Sequence, residues 1–265
     1  MILDHFPQLK GIILDMDGVL WHDTQPIGDL PAIFDFIRTH GLKVILATNN
    51  ATHSIDFYVE KLKAFSVDIC PQEVVSSATA TLAYLKRILP PGSKVYVVGS
   101  ESLRTLVSSA GFDLLPEEAR QGAAAVVVGL DPEINHQKLA NAGLLIRAGA
   151  RFIATNTDAT YPTPWGLFPG AGVMVAAIQT ASGKEPEIIG KPNAGMYFEA
   201  LERMGLPASA VMGIGDRLET DIAGAQQAGC LAGLVLTGVS TLEQAQRWTP
   251  APDWVAPSLT ELIYG

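Results

Sequence analysis

The chain has 265 residues, 48% of them apolar and 17% charged, with a formal net charge of −9. That composition is too apolar for a disordered chain, and the length suits one large domain or two unequal ones. The acidic balance, with no long basic run, excludes the electrostatic footprint of a nucleic-acid binder, and any anion the protein holds must meet a local cation, lysine or helix N-terminus.

Residues 12–14 form a short apolar run suited to a strand buried on both faces, and the run ends in Asp15 and Asp17 before Gly18. Two residues apart on an extended chain, both carboxylates can point to one side, at the strand edge where open α/β sheets bind ligands. Close like charges resist ionising together unless a cation or a shared proton offsets them. The pair therefore reads as a metal site or an acid/base pair, or else as an exposed turn that merely solvates a strand end.

Residues 31–40 read as a helix with Ile33, Phe34 and Ile37 on one stripe and Gly41 past its end. Residues 43–48 are the next buried strand, ending in Thr48, Asn49 and Asn50. Ser54 is placed to cap a helix that turns Tyr58, Leu62 and Phe65 inward. A short strand at 74–76 and a helix over 79–89 lead to Pro90-Pro91-Gly92, which marks a boundary. A second α/β series then begins. It has strands at 94–99, 123–130 and 151–155, helices at 101–110 and 136–148, a Pro/Gly/Thr-rich loop at 156–172 and a helix at 172–182. Strand alternating with helix implies parallel pairing. The first pattern returns with a strand at 187–190 before Lys191, a helix at 194–204, a strand at 210–215 before Asp216, and a helix at 221–228. Late strands at 231–236 and 254–255 follow. Cys70 and Cys230 belong to no CxxC pattern and read as free thiols. The opening residues lack the features of a signal peptide, and no apolar run approaches the ~18 residues that cross a bilayer. A reducing cytoplasm is the expected compartment, with no membrane partner.

Four predicted strands thus end in chemically useful groups: Asp15/Asp17, Thr48/Asn49/Asn50, Lys191 and Asp216. In a single parallel sheet all four would share one edge. Three carboxylates with one lysine repel one another without a divalent cation, and oxygen ligands favour Mg²⁺. Each member also has a plainer explanation: Thr48 as a strand end, Lys191 as a solvated loop lysine, Asp216 as a turn residue, Asp221 as a helix-start carboxylate favoured by the macrodipole.

The ordered motifs Asp15-Met16-Asp17-Gly18-Val19-Leu20, Thr48-Asn49-Asn50, Gly190-Lys191-Pro192 and Gly215-Asp216-Arg217-Leu218-Glu219-Thr220-Asp221 resemble those of the haloacid dehalogenase (HAD) superfamily. Trp21, the segment 155–158 and Gly170-Ala171-Gly172 resemble its subclass IIA, the NagD-like, p-nitrophenyl phosphatase branch. The resemblance covers nearly the whole chain. It implies an α/β fold: a Rossmann-like parallel-sheet core of residues 1–80 and 187–265, with a large inserted α/β cap (C2 type) at 81–186. It implies a Mg²⁺-dependent phosphatase of a small phosphorylated metabolite, such as a sugar phosphate or a nucleotide, working through an aspartyl phosphate. Asp15 would be the nucleophile and Asp17 the general acid, then base. Thr48 and loop amides including Asn49 and Asn50 would hold phosphoryl oxygens, and Lys191 would neutralise charge on phosphate and nucleophile. Asp15, the backbone carbonyl of Asp17, and Asp216 would hold the metal, with Asp221 one layer further out.

The cap would close over the site during the first step. Tyr161 and Trp165 in its 156–168 loop would either meet the leaving group or pack within the cap or a subunit interface. A homodimer paired through the caps is expected from the resemblance. The competing readings are a phosphate-ester binding or regulatory protein that keeps the fold without turnover, and a phosphoacceptor switch. The intact Asp17 argues against the first. The late second acidic motif and the large insertion argue against the other.

Overall fold

The computed structural model describes residues 1–163 and 165–265, the side chains at 162 and 163 excepted. The chain forms two compact units. One comprises Met1–Thr48, Ile55–Val75 and Lys191–Gly265; the other comprises Asn49–Ser54 and Ser76–Gly190. No helix among the described residues is long and apolar enough to cross a membrane.

The first unit is built on a six-stranded sheet. Its order is Trp254–Ala256, Leu231–Val235, Val211–Gly215, Gly11–Leu14, Lys43–Thr48 and Val74–Ser76. The central strands pair in parallel, with Ile12 opposite both Met212 and Val44 and Leu14 opposite both Ile214 and Leu46. Gly11–Leu14 and Val211–Gly215 are buried throughout, as the continuous apolar runs demand of strands covered on both faces. Helix Leu30–Thr39 starts at Asp29, whose carboxylate accepts from the Ala32 amide, and carries Pro31 in its first turn. Its apolar stripe, Ile33, Phe34 and Ile37, enters the same core as Ile12, Leu14, Met16 and Trp21.

The second unit has its own five-stranded parallel sheet, in the order Glu187–Ile188, Arg151–Ala154, Ala125–Val128, Lys94–Val98 and Asp113–Leu114. Helices His136–Arg147 and Ala171–Ser182 pack against it around Val126, Val128, Phe152 and Ile178.

Three elements differ from expectation. The loop expected at 156–172 contains an antiparallel hairpin, Thr160–Thr163 with Gly166–Pro169; Pro164 lies outside the described residues. Three prolines and three glycines between 160 and 172 mask the strand signal there. The helix expected from 221 begins as a wide π-turn, Leu218–Ile222, before Ala223–Gln227, so Asp221 lies inside a turn and not at a helix start. Finally, the strand before Lys191 does not join the sheet of Asp15, Thr48 and Asp216. Glu187–Ile188 pairs with Arg151–Ala154 in the other sheet, and the Gly190 amide donates to the Thr155 carbonyl. The chain passes into the first unit at Lys191 itself.

Candidate active site

Register brings three of the four strand ends together. With Leu14, Ile214 and Leu46 level, the next residues out of the sheet are Asp15, then Asp216 and Thr48 two positions on. The Asp15 amide donates to the Ile214 carbonyl at 2.8 Å and extends the ladder by one rung. Lys191 reaches the same point by the length of its side chain. Its ammonium donates to Asp15 Oδ1 at 2.6 Å and to Asp221 Oδ1 at 2.7 Å, and the residue is only 2% exposed. Asp15, Asp216 and Asp221 each offer an oxygen within 4.8 Å of the others.

Three carboxylates around one ammonium leave the cluster negative in a buried place. Burial pushes the Asp15 carboxyl well above the usual carboxylate range; Lys191 opposes the shift, while Asp221 and Asp216 add to it. Burial and the neighbouring Asp221 likewise push Asp216 up to about 6. Lys191 moves the other way from what burial alone would do: Asp15 and Asp221 hold it protonated.

The carboxylate oxygens are not equally committed. Both oxygens of Asp221 are occupied, one by Lys191 and the other by the Arg217 amide at 3.1 Å. Asp216 Oδ2 accepts from the Val239 amide at 2.7 Å, whereas Asp216 Oδ1 is buried with no partner. A buried unpaired carboxylate oxygen is costly. An all-oxygen donor set around an orphaned acceptor fits a hard divalent cation. The loop 237–240 clamps Asp216 from one side: besides the Val239 contact, the Ser240 amide donates to its carbonyl. A Cβ at Gly238 would come within 1.9 Å of Asp216 Oδ2. Gly18, at φ +81°, would likewise place a Cβ 2.8 Å from the same carboxylate.

Asp17 stands apart. Met16 between the two aspartates is fully buried, so the alternation holds, yet the Asp17 carboxylate lies outside the three-carboxylate group and accepts from the Trp21 indole at 2.8 Å. Thr48 is buried, and its side chain is hydrogen-bonded to the Tyr58 hydroxyl. Burial and the charge of Asp17 keep that phenol neutral. Asn49 and Asn50 belong to the other unit. The Asn49 side chain donates to the Asp158 carboxylate at 3.1 and 3.2 Å, and its carbonyl accepts from Ser77 and Asn156. The Asn50 carboxamide closes an Asx turn onto Thr52. Their side chains thus hold the loop after Thr48. Trp21, Tyr58, Asp158 and the loop 237–240 were not singled out for these contacts by sequence. The close spacing of Trp21 after Asp17 is a signal for the first; nothing in Thr237-Gly238-Val239-Ser240 announces the last.

Comparison with known proteins gives the family. A family model described as haloacid dehalogenase-like hydrolase matches residues 12–113, and one described as HAD-hydrolase-like matches residues 188–262. The chain is 36% identical over 256 residues to the acid sugar phosphatase of Staphylococcus aureus, covering 97% of each. Among solved structures it resembles NagD from Escherichia coli, with TM-score 0.88 and 32% identity, over 96% of this chain and 98% of that one. It also resembles a glycerol phosphate phosphatase from Mycobacterium tuberculosis in complex with magnesium, with TM-score 0.87 and 35% identity, over 96% of this chain and 76% of that one.

Proposed function

Because the chain belongs to the haloacid dehalogenase-like hydrolases, in the NagD-like branch of subclass IIA, and is a phosphatase of that family, we propose that it hydrolyses a small phosphate monoester through an aspartyl phosphate on Asp15, with Mg²⁺ as cofactor. The observation that carries this reading is the buried cluster of Asp15, Lys191, Asp216 and Asp221, with its negative excess and its unpaired Asp216 Oδ1. The cation would be held by Asp15, the backbone carbonyl of Asp17 and Asp216, and would supply charge neutralisation for nucleophile and phosphate. Asp221 acts at one remove, since both its oxygens already hold Lys191 and the Arg217 amide.

In the first step an Asp15 carboxylate oxygen forms a bond to phosphorus. The bond from phosphorus to the ester oxygen breaks, and its electron pair stays on that oxygen, which takes a proton from the Asp17 carboxyl. Water then attacks phosphorus and gives its proton to Asp17. The bond to Asp15 breaks, its electron pair returns to the carboxylate, and inorganic phosphate leaves. Lys191 screens Asp15 against the incoming phosphate dianion, which two neighbouring carboxylates would otherwise repel. Thr48 and the amides after it receive phosphoryl oxygens.

The substrate class we infer is the sugar or polyol phosphates, supported by the activities after which the Staphylococcus aureus and Mycobacterium tuberculosis relatives are named. Phosphate release from p-nitrophenyl phosphate, dependent on Mg²⁺ and abolished in Asp15→Asn, tests the reaction; a panel of phosphorylated metabolites tests the substrate. Release that survives EDTA and the Asp15 substitution would end this reading.

A further inference from the structure

The Asp17 carboxylate is exposed, yet one of its oxygens is fixed. Trp21 is 1% exposed, and its indole N–H donates to Asp17 Oδ1 at 2.8 Å. Main-chain bonds close the turn on both sides of Asp17. The Leu20 amide donates to the Met16 carbonyl, and the Gly18 amide donates to the Trp21 carbonyl at 2.8 Å. Trp21 then opens a two-residue strand paired with Gln25–Pro26. Its ring packs near Phe65 at 6.1 Å between centroids. The Lys61 ammonium sits 4.1 Å from the indole centroid while donating to the Asp23 carbonyl at 2.7 Å. A cation over the ring draws electron density from it and makes the N–H a stronger donor. Lys61 lies on helix Ile55–Ala64.

We propose that Trp21, braced by Lys61, is the positioning residue that orients the Asp17 carboxyl for proton transfer; this rests on the phosphatase reading above. An indole N–H is a donor only, so Oδ1 remains the acceptor and the transferable proton is carried on Oδ2. A rigid donor on one oxygen fixes the carboxyl plane, and with it the direction in which Oδ2 presents that proton. Proton transfer tolerates little misplacement, because the reacting groups must stand within hydrogen-bond reach. The requirement is greatest for esters whose departing oxygen is strongly basic, since those cannot leave without the proton.

Trp21→Phe keeps the buried ring and removes the donor. The measurement is kcat/KM, which reports the chemistry up to the first irreversible step, on two probes of similar shape: phenyl phosphate, with a strongly basic leaving oxygen, and p-nitrophenyl phosphate, with a weakly basic one. The expected result is a fall on phenyl phosphate about 10-fold larger than on p-nitrophenyl phosphate, the lower end of what one hydrogen bond to a charged group supplies. In an Asp17→Asn background the same substitution should leave the ratio between the probes unchanged. Equal falls on both probes, or no fall on either, would overturn the proposal by reducing Trp21 to a packing residue. Lys61→Met leaves the buried ring in place and covers the case in which Trp21→Phe does not fold. It should shift the probe ratio in the same direction by about threefold, the scale of one cation–π contact, and an unchanged ratio would overturn the proposal. A wild type that hydrolyses neither probe would remove the phosphatase reading, and this proposal with it, which is a result distinct from a normal enzyme with an unshifted ratio.

Discussion

Among the described residues a lysine is buried among carboxylates twice, and the two clusters differ in what they leave over. In the second unit Lys138 donates to Asp131 Oδ2 at 3.0 Å and lies 3.3 Å from Glu117 Oε1. The remaining oxygen of Asp131 takes the Glu133 amide, and Glu117 is half-exposed, so water screens its charge. Every buried group there has a partner. In the first unit Lys191 faces three carboxylates, and Asp216 Oδ1 has no partner. The same residue types therefore make a closed structural pair in one place and an open, charge-deficient site in the other. Charge balance and an orphaned acceptor separate them better than burial does.

The largest contrast should come from removing one carboxylate in each. Asp15→Asn is expected to reduce phosphate release by more than about 10³-fold, the loss typical of a missing nucleophile. Asp131→Asn should leave turnover within about twofold but cost roughly 3 kcal/mol of stability, because it strands a buried ammonium; thermal melts beside initial rates read both. Matching losses of activity from the two substitutions would erase the distinction.

Next in size is Asp17→Asn, expected to slow turnover at least about 10²-fold while phosphate-ester binding persists. Near-normal rates would remove Asp17 from proton transfer. Asp216→Asn should then weaken Mg²⁺ binding by about tenfold or more, read by calorimetry, whereas Asp131→Asn should not change it.

The smallest effect concerns pH. With Asp216 pushed up to about 6, the metal-free native state binds its proton more tightly than the unfolded chain does. The contribution of Asp216 to stability in EDTA should therefore be greatest below the unfolded value of 3.8 and be lost as pH rises through about 6, by on the order of 1 kcal/mol. Melts of wild type against Asp216→Asn across that window check the sign, and saturating Mg²⁺ should flatten the slope. A wild-type curve that rises across the window relative to the variant would contradict it.

Much of this site was legible in the chain because strand register is a local property. An apolar run that stops at a charged residue fixes where Asp15, Thr48 and Asp216 emerge, and parallel pairing does the rest. Lys191 was legible as a residue but not by its route. Its strand belongs to the other sheet, and a side-chain contact with Asp15 is invisible to periodicity. Asp221 reads as a helix start from its neighbours because a π-turn has no propensity signature. The amides of Asn49 and Asn50 were expected to meet phosphate, but the side-chain anchors of their loop, Asp158 109 residues further on and the Asx turn onto Thr52, were not legible. The hairpin Thr160–Thr163 with Gly166–Pro169 hid behind prolines that ordinarily demote strands.

The most direct measurement is a crystal structure grown with Mg²⁺ and trifluoroberyllate, a mimic of the phosphoryl group bound to a carboxylate. Beryllium bonded to Asp15, with the cation between Asp15 and Asp216 Oδ1 and Lys191 against the fluorides, is the predicted result. An adduct on any other residue, or a cation bound away from Asp216, would contradict the assignment of this cluster as the catalytic centre.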